Sequence, residues 1–480
     1  MSFKIPYRAG LAALPLILLA ASPALAEPTV NKGDNAWMMT ATVFVLLMTI
    51  PGLALFYGGL VRSNNMLSVL MQVFYSVCIV ALIWVIYGYS LAFTGGSAYF
   101  GGFDKAFLAG VTTDSKAVTF SVGSSISEFI YICFQMTFAC ITPALIVGAF
   151  AERMKFTAVV LFIPLWVTFI YFPIAHMVWY WAGPDAIDAA AKAVAAATDD
   201  AAKKTAQEAL DATLADAGQI FLWGAIDFAG GTVVHINSGI AGLVACIMVG
   251  KRTGYGKELM PPHSVTLSMV GASLLWVGWF GFNVGSNLEA TGVAGLAMTN
   301  TFVATAAAAL SWMFAEWVVK GKPSLLGAIT GCVAGLVAVT PACGFAGPMG
   351  SIVLGLLAGV VCLFFCSAVK HMFGYDDALD VFGVHCVGGI LGAIATGILV
   401  NPELGGSGVY DYVAGKVADY DFATQVMAQI KAVILTLVWS AVGTAVILGI
   451  IGVITGLRVT VDKEREGLDL TEHGERAYNM

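Results

Sequence analysis

The sequence predicts an all-α polytopic membrane protein with eleven transmembrane helices, built as a five-plus-five inverted repeat plus one additional C-terminal helix. Three observations support this fold class: the composition, a series of long apolar segments and a repeated histidine motif. Hydrophobic residues make up 59% of the 480 residues and charged residues only 11%, whereas soluble domains carry roughly 25% charged residues. The mean hydropathy is +0.86. Lipid is therefore the expected solvent for most of the chain.

Residues 1–26 have the features of a secretory signal peptide. Two basic residues precede the short apolar run Leu11–Ala21, and the triplet Ala24–Ala26 supplies small residues at a cleavage site. The alternative is a first transmembrane helix, but the apolar run is too short and is interrupted by Pro15. Cleavage would leave the mature N-terminus outside the cytoplasm.

Eleven apolar segments follow and define a predicted transmembrane domain of residues 27–457. They lie near residues 36–60, 66–93, 125–148, 157–181, 228–249, 265–287, 294–319, 325–345, 349–369, 379–400 and 425–455. With the N-terminus outside, the odd-to-even connections are short cytoplasmic loops that hold Arg62, Arg153, Lys155, Lys251, Arg252, Lys257, Lys320, Lys322 and Lys370. The opposite connections are poorer in cations or long. This positive-inside pattern predicts that residues 458–480 form a cytoplasmic tail.

The longest connection is an Ala-rich insert at residues 182–220. Its composition favours helix but is too polar to cross a membrane. We predict a helical periplasmic loop that covers part of the outer face. A site for a partner protein or a lid is the alternative function of this insert.

A repeated motif relates two of the predicted helices. "HINSGIAGLVA" at His235–Ala245 and "HCVGGILGAIA" at His385–Ala395 share the pattern H-x-x-x-G-I-x-G-x-x-A. Each motif lies in the last segment of a five-segment half. Because five is odd, the second half crosses the membrane in the opposite direction. Inverted repeats of this kind are typical of transporters that bind substrate near the midplane between the halves.

His235 and His385 are the candidate functional residues of the repeat. Ionisable groups inside a membrane are costly and usually face a cavity or one another. A neutral imidazole has one donor and one acceptor, so two of them can line a narrow path and exchange protons. A structural role is the alternative, more so for either histidine taken alone. A metal site or metalloenzyme is disfavoured because no third ligand lies at suitable spacing.

Asp227 opens the fifth segment, eight residues before His235. Its carboxylate is suited to capping a helix N-terminus. It is equally suited to supplying negative potential to a cation that arrives from outside. The sequence leaves both roles open.

Aromatic residues cluster near the predicted outer ends of helices. Trp179 lies in "AHMVWYW", and Phe282 and Ser286 lie in "GWFGFNVGS". Tryptophan at this depth is normally an interfacial anchor, but an aromatic face beside a hydroxyl can also bind a small cation. Phe134 and Phe138 share one helix face, which by itself is typical of core packing.

Together these stretches resemble the ammonium transporter family, which comprises ammonium transporters, methylammonium permeases and Rhesus-type channels, and the chain is most similar to its bacterial ammonium transporters. The matching stretches are "FYGGLVRSNNMLSVLMQ", "FACITPALIVGAFAERMKF", "DFAGGTVVHINSGIAGLV", "GWFGFNVGS", "GKPSLLGAITGCVAGLVAVTPACG", "DDALDVFGVHCVGGI" and "REGLDLTEHGERAYN". They cover most of residues 35–182 and 222–480 in order. The insert after the fourth segment departs from the compact members of the family.

The resemblance implies a homotrimer in which each protomer has its own pore. It assigns ammonium binding to four residues, an outer gate to two phenylalanines, and the pore lining to the twin histidines. The binding residues would be Trp179, Ser286, Phe138 and Asp227, the gate Phe138 and Phe282, and the pore histidines His235 and His385. It also implies that a cytosolic PII-type signalling protein docks at the inner face.

We therefore expect nitrogen uptake across the bacterial cytoplasmic (inner) membrane rather than enzymatic activity. Ammonium would bind outside, lose a proton and cross as ammonia, with net charge transfer favoured over a neutral channel. Methylammonium would serve as an analogue. An ammonium sensor on the same fold is the alternative. We expect contacts with membrane lipid but no cofactor and no nucleic-acid partner, and no Walker A loop for ATP is present in the sequence.

Overall fold

The structure is a computed structural model that describes residues 28–478, and the predicted signal peptide lies outside the described residues. Ten helices in this range are long and apolar enough to cross a membrane. They are α1 (Lys32–Leu60), α2 (Ser63–Phe93), α3 (Glu128–Phe150), α4 (Phe156–Trp179), α8 (Gly231–Val249), α9 (Val265–Gly285), α10 (Gly292–Lys320), α12 (Pro348–Phe373), α13 (Phe382–Leu399) and α14 (Phe422–Ile454).

A shorter apolar helix, α11 (Leu325–Val339), lies where the eighth segment is predicted. The observed helices follow the predicted order and positions, and the architecture is consistent with eleven membrane-embedded helices. The remaining helices are α5 (Pro184–Ala196), α6 (Asp200–Ala215), α7 (Gln219–Leu222), α15 (Val461–Glu466) and α16 (Leu468–His473).

The interior of the bundle is formed by helices near the two histidine motifs. In the most apolar window of each helix, 78% of the residues of α3 and 72% of those of α8 are buried, but only 28% of those of α14. Helix α3 packs against α1, α2 and α8, while α8 also packs against α13 and α14. The outward side of α14 is therefore left for lipid or for other chains.

The two halves meet through reciprocal contacts of the repeat. Gly239 and Gly389 each stand four residues after a motif histidine. A Cβ atom on Gly239 would collide with the backbone nitrogen of Cys386, and one on Gly389 would lie 2.9 Å from Cγ1 of Ile236. Cys386 and Ile236 are the residues that directly follow the two histidines. Close approach through glycine at equivalent positions therefore brings the motifs together.

One face of the bundle carries the insert, and we call it the outer face. Residues 182–220 form the helical hairpin α5–α6 and the short α7, as the composition predicts. Asp185 accepts a hydrogen bond from the backbone N–H of Gly123 (2.7 Å), and the Tyr180 hydroxyl donates to Asp216 (3.0 Å). Small strands complete this face: β1 (Thr29–Val30), β2 (Lys116–Val118) and β3 (Ser124–Ser127) in the order β1-β3-β2, and the hairpin of β4 (Tyr410–Asp411) with β5 (Lys416–Val417).

The opposite face, called the inner face, holds a buried ion cluster built on the loop cations. Glu152 pairs with Arg62 and Arg252 at 3.0 Å each, and Arg252 also pairs with Asp376 at 2.8 Å. Burial by itself would raise the pKa of Glu152, but the guanidinium groups of Arg252 and Arg62 outweigh burial and lower it. Four inter-helix connections that are distant in sequence are thus held together.

The C-terminal tail is docked on the same inner face. The backbone N–H of Leu468 donates to Asn65 Oδ1 (2.9 Å), and Asp469 Oδ1 accepts from the backbone N–H of Ser68 (2.8 Å). Glu464 accepts from the backbone N–H of Thr253 at 2.6 Å. Cations predicted to be cytoplasmic and the tail therefore share one face of the bundle.

Candidate functional site

A column of aromatic and imidazole rings runs from the outer end of α4 towards the centre of the bundle. Trp179 meets Phe138 edge to face, with ring centroids 5.8 Å apart and planes at 84°. Phe138 stacks on Phe282 at 4.0 Å and 19°, and Phe282 contacts His235 at 5.9 Å. Both phenylalanines are buried, with 1% and 0% of their surface exposed. The stacked pair closes the column between Trp179 and the histidines.

The two histidines of the repeat are in direct contact. Their rings stack with centroids 5.4 Å apart at 18°, and the two Nδ1 atoms lie 3.3 Å apart. One Nδ1 must donate and the other accept, so two neutral rings in this geometry are opposite tautomers. The two Nε2 atoms then differ, because one is a donor and the other an acceptor. Protonation of both rings would place two N–H groups against each other.

A narrow cavity adjoins the histidine pair. It is lined by both histidines, Trp279 and Phe282, and otherwise by apolar side chains such as Leu145 and Met48, and it is just large enough for one molecule the size of water. Nε2 of His235 is buried and has no hydrogen-bond partner among the described residues. The cavity therefore offers imidazole groups to a small neutral molecule, whereas an ion there would lack compensation for lost hydration.

Asp227 caps the helix that carries His235. Its Oδ1 accepts from the backbone N–H groups of Gly230 (2.8 Å) and Gly231 (2.6 Å), and its Oδ2 accepts from the backbone N–H (2.8 Å) and the hydroxyl of Thr232. The backbone carbonyl of Asp227 accepts from Nε1 of Trp179 at 3.2 Å. The capping role that the sequence left open is thus present, and the same residue fixes the orientation of the indole.

Ser286 lies one turn after Phe282 on α9. Its hydroxyl donates to the backbone carbonyl of Phe282 at 2.8 Å. The serine oxygen retains acceptor capacity, because a hydroxyl has one proton and two lone pairs. Ser286 is thus connected to the column through Phe282. Trp179 contacts the column through Phe138 and is hydrogen-bonded to Asp227.

Trp279 is a member of the column that sequence reasoning missed. The sequence leaves an interfacial anchor and a cation site open for the "GWFGFNVGS" stretch, but Trp279 is buried, stacks on His235 at 5.3 Å and 20°, and donates from Nε1 to Thr340 Oγ1 at 2.9 Å. The available signal was helical spacing, since Trp279, Phe282 and Ser286 stand at i, i+3 and i+7 and therefore share one face. That face points into the bundle.

Within residues 28–478 no group of three or more His, Cys, Asp or Glu side chains is arranged to hold a metal ion. The histidine pair contacts rings and aliphatic groups rather than carboxylates or thiols.

The fold and the site together define a multi-pass helical membrane protein with a ring-lined path between two inverted halves. The family model described as the Ammonium Transporter Family matches residues 36–478. The chain belongs to the ammonium transporter family, which consists of membrane transporters and not of enzymes.

Relatives and solved structures agree with this membership. The chain is 42% identical to the ammonium transporter of Bacillus subtilis, over 93% of this chain and 99% of the relative, and 43% identical to that of Aquifex aeolicus, over 95% of each. It is similar to the crystal structure of Saccharomyces cerevisiae Mep2, with a TM-score of 0.74, 28% identity and coverage of 90% and 89%. It is also similar to a solved Sensor Amt Protein, with a TM-score of 0.76, 25% identity and coverage of 92% and 98%.

Proposed function

We propose that the chain is a transmembrane ammonium transporter that binds ammonium at the outer face, deprotonates it and conducts ammonia through an apolar path lined by His235 and His385. Net charge transfer accompanies transport. The observation that carries this proposal is the contact of the two histidines beside a narrow apolar cavity, directly below the stacked phenylalanines.

Ammonium binding requires groups that replace part of the ion's hydration. The rings of Trp179 and Phe138 offer cation–π attraction, which contributes about 0.5–2 kcal/mol depending on desolvation. The free lone pair of Ser286 accepts an N–H bond, and Asp227 adds negative potential from the helix terminus. Support for this outer site is the chain of contacts that joins all four residues.

Selectivity against potassium follows from deprotonation. An isolated ion in a low-dielectric medium is destabilised by on the order of tens of kcal/mol, so neither cation crosses the cavity intact. Ammonium can leave a proton behind and cross as a neutral molecule, whereas potassium cannot. Phe138 and Phe282 act as the gate, because their stacked rings must separate before the molecule reaches the histidines.

The histidine pair guides ammonia and relays the proton. Ammonia both donates and accepts hydrogen bonds, and the pair presents one Nε2 of each kind. The Nδ1–Nδ1 hydrogen bond lets a proton added at one ring be passed on as the other ring releases one. A neutral channel without proton transfer is the alternative mechanism at the same site.

The cellular setting is part of the same proposal. We place the protein in the bacterial cytoplasmic membrane among lipids as a homotrimer, with the insert in the periplasm and the tail in the cytoplasm after signal-peptide removal. The grouping of loop cations with the tail on the inner face supports this orientation. A PII-type protein would dock on that face and block conduction when nitrogen is plentiful.

A sensor of ammonium is the second candidate function, and the similarity to a Sensor Amt Protein favours it. Flux separates the two functions, because a transporter moves substrate in the absence of any other protein and a receptor need not.

Proteoliposomes on a solid-supported membrane test the proposal. We expect the wild type to give current with ammonium and methylammonium but not with potassium. His235→Ala or His385→Ala should lower the ammonium current at least about a hundredfold, the lower limit for a positioned proton-transfer group, while His263→Ala on the inner face serves as the matched control. Current unchanged in both pore variants would contradict the relay, and absence of flux in the wild type would contradict transport.

A further inference from the structure

We propose that Asp377 is the proton donor at the inner end of the path, which returns a proton to ammonia as it leaves the histidines. The inference rests on the proposed function and extends it to the exit. Asp377 lies between α12 and α13, is fully buried, and has one carboxylate oxygen, Oδ1, without a hydrogen-bond partner among the described residues.

The inverted repeat relates Asp377 to Asp227. Asp227 stands eight residues before His235, and Asp377 stands eight residues before His385. Each aspartate precedes the helix that carries its histidine, and Asp377 Oδ2 accepts from the backbone N–H of Phe382 at 2.7 Å. Because the halves run in opposite directions, the two carboxylates occupy opposite ends of the same path.

The two carboxylates differ in how their oxygens are used. Both oxygens of Asp227 accept hydrogen bonds from the turn at Gly230–Thr232, four donors in all. Oδ2 of Asp377 accepts the hydrogen bond that caps the helix, whereas Oδ1 has no hydrogen-bond partner among the described residues. A buried carboxylate oxygen without a partner costs free energy, which a proton or an ammonium N–H bond would offset.

The loop that holds Asp377 packs against a helix that lines the cavity. The backbone N–H of Ala378, the next residue, donates to the backbone carbonyl of Ala149 on α3 at 3.2 Å, and that of Leu379 donates to the carbonyl of Gly148 at 3.1 Å. Leu145, about one helical turn before Ala149 on α3, lines the cavity together with His385. The loop of Asp377 and the cavity are thus about one turn of α3 apart.

Several titratable groups face Asp377 from the packed elements: Lys370 and Cys366 on α12, Tyr375 and Asp380 in its own loop, Tyr57 on α1 and Cys246 on α8. Lys370 donates to the backbone carbonyl of Asp377 at 2.6 Å and to Asp380 at 2.7 Å. Burial raises the pKa of Asp377 to about 6, against the lowering effect of Lys370 and with a further rise from Asp380. Both protonation states are accessible near neutral pH.

The exit step is a single proton transfer. The O–H bond of the protonated Asp377 breaks and an N–H bond to ammonia forms. The ammonium ion then departs, and Asp377 remains as a carboxylate. The carboxylate then recovers a proton that the outer deprotonation supplied through the histidines. Atoms and charge balance, with one ammonium taken up and one released per cycle.

Asp377→Asn tests the step, with Asp377→Glu as the titratable rescue and Asp462→Asn, at an exposed aspartate of α15, as the matched control. Proteoliposomes containing a luminal pH dye report charge and ammonia separately, because ammonia that enters without a proton makes the lumen alkaline. We expect Asp377→Asn to lose ammonium current at least about a hundredfold while luminal alkalinisation persists. Asp377→Glu should restore part of the current, and Asp462→Asn should stay within about twofold of the wild type.

Other outcomes decide against Asp377 as donor. Wild-type current in Asp377→Asn would overturn the assignment. Loss of both current and alkalinisation in the Asn and Glu variants, with unchanged elution on size exclusion, would identify Asp377 as a helix cap only. Absence of ammonium flux in the wild type would instead contradict the proposed function itself.

Discussion

Substitutions of Asp227 can separate the two roles that its position allows, which are capping the helix of His235 and attracting a cation. Asparagine caps helices about as well as aspartate but carries no charge. Glutamate keeps the charge, but its extra methylene displaces the oxygens from the turn at Gly230–Thr232. If capping dominates, the ammonium current of Asp227→Asn should be higher than that of Asp227→Glu. If the charge dominates, the order should be reversed.

The magnitude follows from the four hydrogen bonds that the carboxylate accepts. A hydrogen bond to a charged group contributes about 1.5–3 kcal/mol, and water can partly replace it at this half-buried position. Asp227→Ala leaves three backbone donors without their acceptor, so we expect a loss of about 3–4 kcal/mol. The amide oxygen of Asp227→Asn can still serve two of these donors, which limits its loss to about 1–2 kcal/mol.

Two assays applied to the same variants measure these effects. Thermal unfolding in detergent should give midpoints that decrease in the order wild type, Asp227→Asn, Asp227→Ala, and Asp227→Asn should retain more ammonium current than Asp227→Glu. Near-wild-type current in Asp227→Glu together with an inactive Asp227→Asn would refute the capping argument.

Two further predictions concern packing and charge. Trp279→Phe removes the N–H donor to Thr340 but keeps a ring against His235. The free energy of unfolding should therefore fall by about 1–2 kcal/mol, while the ammonium current should stay within about threefold of the wild type. A larger loss of current would assign function to the indole N–H. Glu152→Gln leaves Arg62 and Arg252 facing a neutral group and should lower the free energy of unfolding by about 3 kcal/mol or more. Because the pKa of Glu152 is lowered in the folded protein, its stabilisation is complete above the unfolded pKa of about 4.3 and is lost as the pH falls through the folded pKa. The free energy of unfolding, measured between pH 3 and 7, should therefore fall less steeply towards acid pH in the variant than in the wild type.

The sequence predicted the histidine pair because histidine, the residue that marks both motifs, is rare in apolar helices. Glycine, alanine and isoleucine recur by chance in such segments, so their match alone carries little information. Histidine at equivalent positions of both motifs indicated a common environment, and the 3.3 Å contact of their Nδ1 atoms provides it. The helical nature of the Ala-rich insert was predictable for a different reason, since helix propensity acts locally.

Sequence reasoning was weaker where partners are distant along the chain. Spacing assigns a residue to a helix face but does not say which helix that face meets, so the sequence did not single out Trp279 as part of the column. The docking of the tail depends on a hydrogen bond between residues 403 positions apart, from Leu468 to Asn65. No local pattern encodes such a contact, because Asn65 and Leu468 acquire their roles only after the bundle has formed.

The histidine contact also explains why a pair suits the conduction of ammonia better than a single imidazole. One neutral imidazole beside an apolar wall presents either a donor or an acceptor, according to its tautomer. Two imidazoles that share one proton between their Nδ1 atoms are forced into opposite tautomers and present one of each. A molecule that donates and accepts is therefore satisfied at both ends as it passes, whereas protonation of both rings would place two Nδ1–H groups against each other. The geometry of His235 and His385 favours a neutral passenger and limits the charge that the pair can hold.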